Sequence, residues 1–275
     1  MQKKIAVIND LSGYGRCSLT VAIPVLSAMG HQCCPIPTAI LSNHTEFPVY
    51  FFDDYTEKMT TYTDKWKELG LSFDAIATGF LVSEAQIGIV MEIVQKLKAE
   101  KTFVVVDPVM GDHGHAYETY TPEMCEQMKE LVCMADVVLP NVTECCILTD
   151  TPYREENWTR KELLNMAMML RLMGAKSVVI TGVREGSCYT NVVLEQGQYD
   201  AKFIRTRSSG GERPGTGDVF SSVVAGALLN GKSLPEAVSQ AAGFVKECIK
   251  VSDEEQIPHA NGVCFEKILG KLIKK

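Results

Sequence analysis

Short β-branched runs alternate with longer segments of helical period along most of this chain, and that alternation restricts the possible folds more than any other feature. Lys4–Asn9 (KIAVIN), Phe73–Gly79 (FDAIATG), Thr102–Asp107 (TFVVVD), Ala135–Pro140 (ADVVLP) and Ser177–Gly182 (SVVITG) read as strands. Runs this continuously apolar need cover on both faces, as in a parallel sheet packed between helices. The intervening helices have marked starts. Ser83-x-x-Gln86, Thr159-x-x-Glu162 and Ser233-x-x-Glu236 have capping-box form, Thr121-Pro122 places a proline at a first helical position, and the helix after Ser233 is expected to run to about Ile249. The expected fold is therefore an α/β three-layer sandwich with a mostly parallel central sheet.

Two stretches depart from this rhythm. Residues 187–208 (SCYTNVVLEQGQYDAKFIRTRS) predict an antiparallel hairpin turning near Gln196-Gly197 at a sheet edge. Leu41–Asp54 (LSNHTEFPVYFFDD) is polar, then aromatic, and reads as a flap. With no repeat, low-complexity tract or linker to divide it, 1–275 is read as a single domain. Net charge is −7 and the basic residues are scattered, which offers nucleic acid no face; Lys271–Lys275 reads as a solvated helix end. No apolar run reaches the length of a membrane span, and the opening MQKKIAVIND lacks the form of a signal sequence, so a cytoplasmic location is expected. The ten cysteines contain no C-x-x-C pair and are expected to be reduced, mostly packed in the core.

In open parallel sheets ligands bind beyond the carboxyl ends of the strands. Here those ends are polar: Asn9-Asp10, Gly79-Phe80, Asp107-Pro108-Val109-Met110-Gly111-Asp112, Asn141 with Glu144, and Thr181-Gly182. Gly215-Thr216-Gly217-Asp218 then precedes a small-residue apolar helix. Glycines at a helix start let a ligand approach free backbone N–H groups, which makes an anion site. A carboxylate there either caps the helix or takes a proton from whatever attacks a bound phosphate. Several acids converging on such a site repel one another unless a cation and a polyphosphate sit among them, as in a Mg²⁺-nucleotide site. GxxxxGK[ST] and the protein-kinase signatures are absent.

ERPGTGDVFSSVVAGALL, VVVDPVMGDHG, LSNHTEF and VITG resemble the ribokinase superfamily and, within it, the pyridoxal (vitamin B6) kinases, from the first strand to the helix after GTGD. The resemblance implies a ribokinase-like kinase that phosphorylates the 5′-hydroxymethyl group of pyridoxal, pyridoxine or pyridoxamine with ATP and Mg²⁺, for vitamin B6 salvage. It implies Asp218 as catalytic base, and Gly215, Thr216 and Gly217 as the anion hole, with Gly217 also touching the nucleotide. Asp107, Asn141, Glu144 and Thr181 match nucleotide contacts, and Asp107, Asp112 and Glu144 match acids around the metal. The vitamer pocket takes Asp10, Leu41, Thr45 and Phe80, with His44 close by. K⁺ activation and a homodimer are compatible with the family. Many pyridoxal kinases carry serine where Asp10 stands; an acid there suits a protonated ring nitrogen or an amine. Hydroxymethylpyrimidine kinase and a non-catalytic vitamin B6 or nucleotide binder are the alternatives. Asp218 is expected to be ionised at pH 7 because helix dipole and cation lower its pKa.

The remaining marked residues have ordinary readings. His113-Gly114-His115 reads as a flexible loop over the nucleotide, the Met-rich Asn165–Met173 as a packed helix face, and His31 and His259 as surface or satisfied core residues.

Overall fold

The computed structural model describes residues 2–273. In chain order the elements are β1 (Lys4–Tyr14), α1 (Ser18–Ala28), β2 (Gln32–Asn43), β3 (Phe52–Asp54), α2 (Thr56–Glu68), β4 (Ala75–Thr78), α3 (Glu84–Leu97) and β5 (Phe103–Val106). A small pair, β6 (Gly111–Asp112) and β7 (His115–Ala116), precedes α4 (Pro122–Cys133), β8 (Val137–Val138), α5 (Val142–Leu148) and α6 (Arg160–Met173). The chain continues through β9 (Ser177–Glu185), β10 (Cys188–Leu194), β11 (Lys202–Arg207), α7 (Thr216–Leu229) and α8 (Leu234–Glu254), and ends in 3-10 turns.

Nine strands form one sheet in the order β11-β10-β9-β8-β5-β4-β1-β2-β3. The inner strands pair in parallel, whereas β10, β11 and β3 run antiparallel at the two edges. The strands divide their side chains by parity, as a period of two requires. Ile8, Ile76, Val104, Val106, Val138 and Ile180 face the core under α2 to α6, and Ile5, Val7, Ala75, Val105, Val137 and Val179 face the core under α1, α7 and α8. Full burial of such a side chain contributes about 1.5–3 kcal/mol.

The hairpin at residues 187–208 forms as expected, as β10 and β11 at one edge. The Met-rich segment is α6, which buries Leu163, Met166, Ala167 and Leu170 and exposes Leu172. Thr159-Glu162 and Ser233-Glu236 close as capping boxes, whereas Gln86 turns its buried side chain to Thr38 O, Thr56 and the Val82 N–H, leaving Ser83 a one-sided cap. The helix after Ser233 continues to Glu254, five residues beyond Ile249. All ten cysteines are free, five of them buried. His31 is buried with Nε2 2.9 Å from Gly226 O, and the exposed His259 bonds to Glu212 O. Of the basic end, Lys271 lies in a 3-10 turn, and Lys274 and Lys275 lie outside the described residues. Among the described residues no helix is long and apolar enough to cross a membrane.

Candidate active site

The site begins where the strand order reverses. β1 pairs with β2 on one side and with β4 on the other, so the crevice beyond their carboxyl ends is the switch point of the sheet. Asn9 and Asp10 come from β1, and Gly79 and Phe80 follow β4. At Asp10 the β1–β2 register slips: Asn9 opposes Pro37, but Leu11 opposes Ile40. This bulge turns a strand end into a polar lining. Asp10 is 5% exposed, its Oδ2 accepts from Ser12 Oγ at 2.8 Å, and the Ser18 side chain also bonds to it. Burial pushes its carboxyl above the usual carboxylate range.

Across the crevice, α7 starts at Gly215. This residue is left-handed, at φ 76°, and a Cβ there would lie 1.8 Å from Arg16 O, so only glycine fits. No side chain caps α7. Its first N–H groups therefore have no capping side chain among the described residues, the condition under which a helix start can bind an anion. Asp218, in the first turn and half-buried, accepts from Asn9 Nδ2 at 3.1 Å and from the Ser18 N–H. The expectation that the helix dipole lowers its pKa is corrected by the structure: burial outweighs it and, with the nearby Asp10 charge, pushes the carboxyl up to about 6. It is still largely ionised at pH 7.

The third group lies beyond β5. Asp107 accepts from Ser221 and from the Val109 N–H; burial and the charges of Glu144 and Asp218 raise it well above the usual range. Glu144 is 3% exposed, and its two oxygens accept from Met110 N at 2.9 Å and Asn141 N at 2.8 Å, with Gly111 N adding a third bond. Burial pushes it up to about 7. Asn141 and Glu144 thus form the capping box of α5, and Asn141 Nδ2 also donates to Gly111 O. Thr181 joins them through a parallel bridge to Asn141. Asp112 stands apart: it is exposed and faces His113, whose Nε2 lies 3.2 Å from Glu212. Of the segment expected to be a loop, His113 sits in the turn of the β6–β7 hairpin and His115 in β7. Among the described residues no three His, Cys, Asp or Glu side chains gather at metal-holding distances, so Asp107, Asp112 and Glu144 do not form a closed ligand set.

Of the residues expected around a vitamer, Leu41 is buried on β2 opposite Ser12, and the half-buried Phe80 donates its N–H to Asn9 Oδ1 at 2.9 Å. The buried His44 packs under Gly15 and bonds Ala260 O at 2.7 Å; Thr45 is exposed on the loop that follows. Sequence reasoning missed Ser12, Ser18, Ser221 and the role of Asn9. Ser18 and Val109 also have positive φ, 54° and 44°, unusual for residues with a Cβ. Each points its N–H at a site carboxylate, Asp218 and Asp107 respectively, which is where backbone strain is expected to collect.

A three-layer sandwich open at its switch point onto an uncapped helix start is the form of a ribokinase-like kinase. The chain belongs to the phosphomethylpyrimidine kinase family, whose model matches residues 22–264. It is similar to a Bacteroides thetaiotaomicron protein, provisionally named a phosphomethylpyrimidine kinase and crystallised with pyridoxal, at 39% identity and a TM-score of 0.94, over 99% of this chain and 96% of that one. The pyridoxine kinase of Bacillus subtilis is 28% identical over 269 residues, 92% of this chain and 85% of that protein. The hydroxymethylpyrimidine/phosphomethylpyrimidine kinase of Aquifex aeolicus is 32% identical over 186 residues, 65% of this chain and 71% of that protein.

Proposed function

We propose that this kinase transfers the γ-phosphoryl group of ATP to the 5′-hydroxymethyl oxygen of a vitamin B6 vitamer. The observation that carries the reading is the pairing of Asp218 with the uncapped start of α7, facing the buried Asp10 across the switch point. Asp218 takes the hydroxyl proton as the oxygen attacks. The N–H groups at Gly215, Thr216 and Gly217 bind the charge of the transferred group, the larger part of catalysis in phosphoryl transfer. Asp107, Asn141, Glu144 and Thr181 line the nucleotide side. Asp10 faces the ring or amine of the vitamer beside Leu41, His44, Thr45 and Phe80. The similarity to a protein crystallised with pyridoxal, and to a pyridoxine kinase over most of the chain, supports this choice of acceptor.

Asp107, crowded by the charges of Glu144 and Asp218, fits a cation partner. Both Glu144 oxygens are already taken by backbone N–H groups, so Asp107 is the residue that would face Mg²⁺, with Glu144 behind it and Asp112 at the rim. The ion supplies charge neutralisation on the phosphates when bound. K⁺ activation belongs to the same reading and is checked by titration.

A second reading, phosphorylation of hydroxymethylpyrimidine, is favoured by the Aquifex relative and by the matched family. An ADP-release assay with ATP, Mg²⁺ and each of pyridoxal, pyridoxine, pyridoxamine and hydroxymethylpyrimidine separates the two. Vitamer binding without turnover at any Mg²⁺ concentration would instead make the protein a binder. Ten uncrosslinked thiols suit a reducing compartment, and we place the reaction in the cytosol. The exposed edge carrying Val49, Phe51 and Phe52 supports a homodimer, which light scattering tests.

A further inference from the structure

Asn9 has a role that its place at a strand end does not announce. Its side chain is 5% exposed and is held at three points: Oδ1 accepts from Asp10 N at 3.0 Å and Phe80 N at 2.9 Å, while Nδ2 donates to Asp218 Oδ1 at 3.1 Å. Two backbone donors fix which end of the amide carries the oxygen, so the NH₂ group has to face Asp218. The amide lies against the backbone of Gly79, where a Cβ would come within 2.5 Å of Nδ2, so a glycine at that position leaves it room. One side chain therefore ties the carboxylate on α7 to the backbone of Asp10 and Phe80, both on the vitamer side.

We propose that Asn9 is the positioning residue of this site, aiming Asp218 at the acceptor hydroxyl and favouring its ionised form; the inference rests on reading Asp218 as the base. The donor is needed because everything else charged nearby opposes ionisation. Asp10 faces Asp218 from β1 and Asp107 from beyond β5, each a carboxylate. Only Asn9 and the Ser18 N–H act in the other direction.

The decisive variant is Asn9→Asp, which is nearly isosteric and keeps the acceptor for both backbone N–H groups while replacing the donor to Asp218 by a second carboxylate. Two carboxylates this close share a proton, so one of them titrates upward by about one pH unit or more. Turnover is measured from pH 5 to 9 for the wild type, Asn9→Asp, Asn9→Ala and Asp218→Asn. In Asn9→Asp the acid limb of kcat is expected to move up by about one unit, with turnover at pH 6 down roughly fivefold, recovery by pH 8.5 and an unchanged KM for ATP. Asn9→Ala should move the limb less. A merely structural role predicts the reverse order, with Asn9→Asp tolerated and Asn9→Ala impaired equally at every pH, and that result overturns the inference. If Asp218→Asn is inactive while Asn9→Asp keeps the wild-type limb, Asn9 is not the positioning residue and the base survives. If Asp218→Asn retains turnover with the wild-type limb, the base reading falls and the inference with it.

Discussion

Asp218 carries its charge against the preference of its surroundings, held ionised near neutrality by two hydrogen bonds inside a site that pushes its pKa up to about 6. Replacing it by Asn should lower kcat by on the order of 10²- to 10⁴-fold while vitamer affinity changes far less, because the loss falls on proton transfer. Full activity in Asp218→Asn would leave the residue a structural hydrogen-bond partner of Asn9 and Ser18. Glu144 leads to a different expectation. Since its oxygens accept three backbone N–H groups, Glu144→Gln sets an NH₂ group against one of those donors and should cost about 1–3 kcal/mol in denaturant unfolding. An unchanged unfolding midpoint with a raised Mg²⁺ requirement would instead place Glu144 next to the metal. The placement of Gly215 and Asp218 at a helix start was legible in the sequence because glycine, glycine and acid before a small-residue helix is an unusual order. Asn9 was not: asparagine at a strand end ordinarily means a turn, and its partner lies 209 residues away.

Elements were legible where their period was clean and obscure where a local signal spoke against them. β2 escaped as a named strand because Pro35 and Pro37 look like breakers. In the sheet they are two residues apart, so both ring nitrogens face the same way, and β3 covers only Ala39–Leu41; the prolines occupy an edge stretch where no donor is required. The segment read as a flap divides in two. Phe52–Asp54 pairs with β2 as an edge strand, as Leu41–Asn43 pairs with β1, and only residues 44–51 form a loop. That loop is tied at its base by Ser42 and Phe51, while Val49 is 78% exposed. If it closes over the vitamer, replacing Glu46–Tyr50 by two glycines should leave the melting temperature within about 2 °C, weaken vitamer binding and increase ATP hydrolysis without acceptor. Calorimetry and a coupled ADP assay read the two effects. A large drop in melting temperature with normal coupling would make the segment part of the packed edge.

For the molecule as a whole, the raised carboxyls make stability depend on pH in an uncommon direction. Asp218 and Glu144 titrate near 6 and 7 in the native state, from ordinary values of 3.8 and 4.5. Between about pH 4.5 and 7 the folded chain therefore binds protons that the unfolded chain has released, and stability falls as pH rises through that window. Glu162, lowered to about 2, acts in the opposite sense, but its contribution is lost only below the window. The ligand-free protein should melt several degrees lower at pH 8 than at pH 6, and Mg²⁺ with ADP at pH 8 should recover the difference. A melting temperature flat from pH 6 to 8 would mean that the acids are relieved by some other contact. The contact between Asn9 and Asp218 also has a consequence in time. A ribosome adds 209 residues after Asn9 before its partner exists, and closing so long a loop is slow even when both ends are ready. The strands and helices between them can form earlier from nearer neighbours. On dilution from denaturant, helix content should therefore return first, and the ability to transfer phosphate only after the two ends of the fold have met.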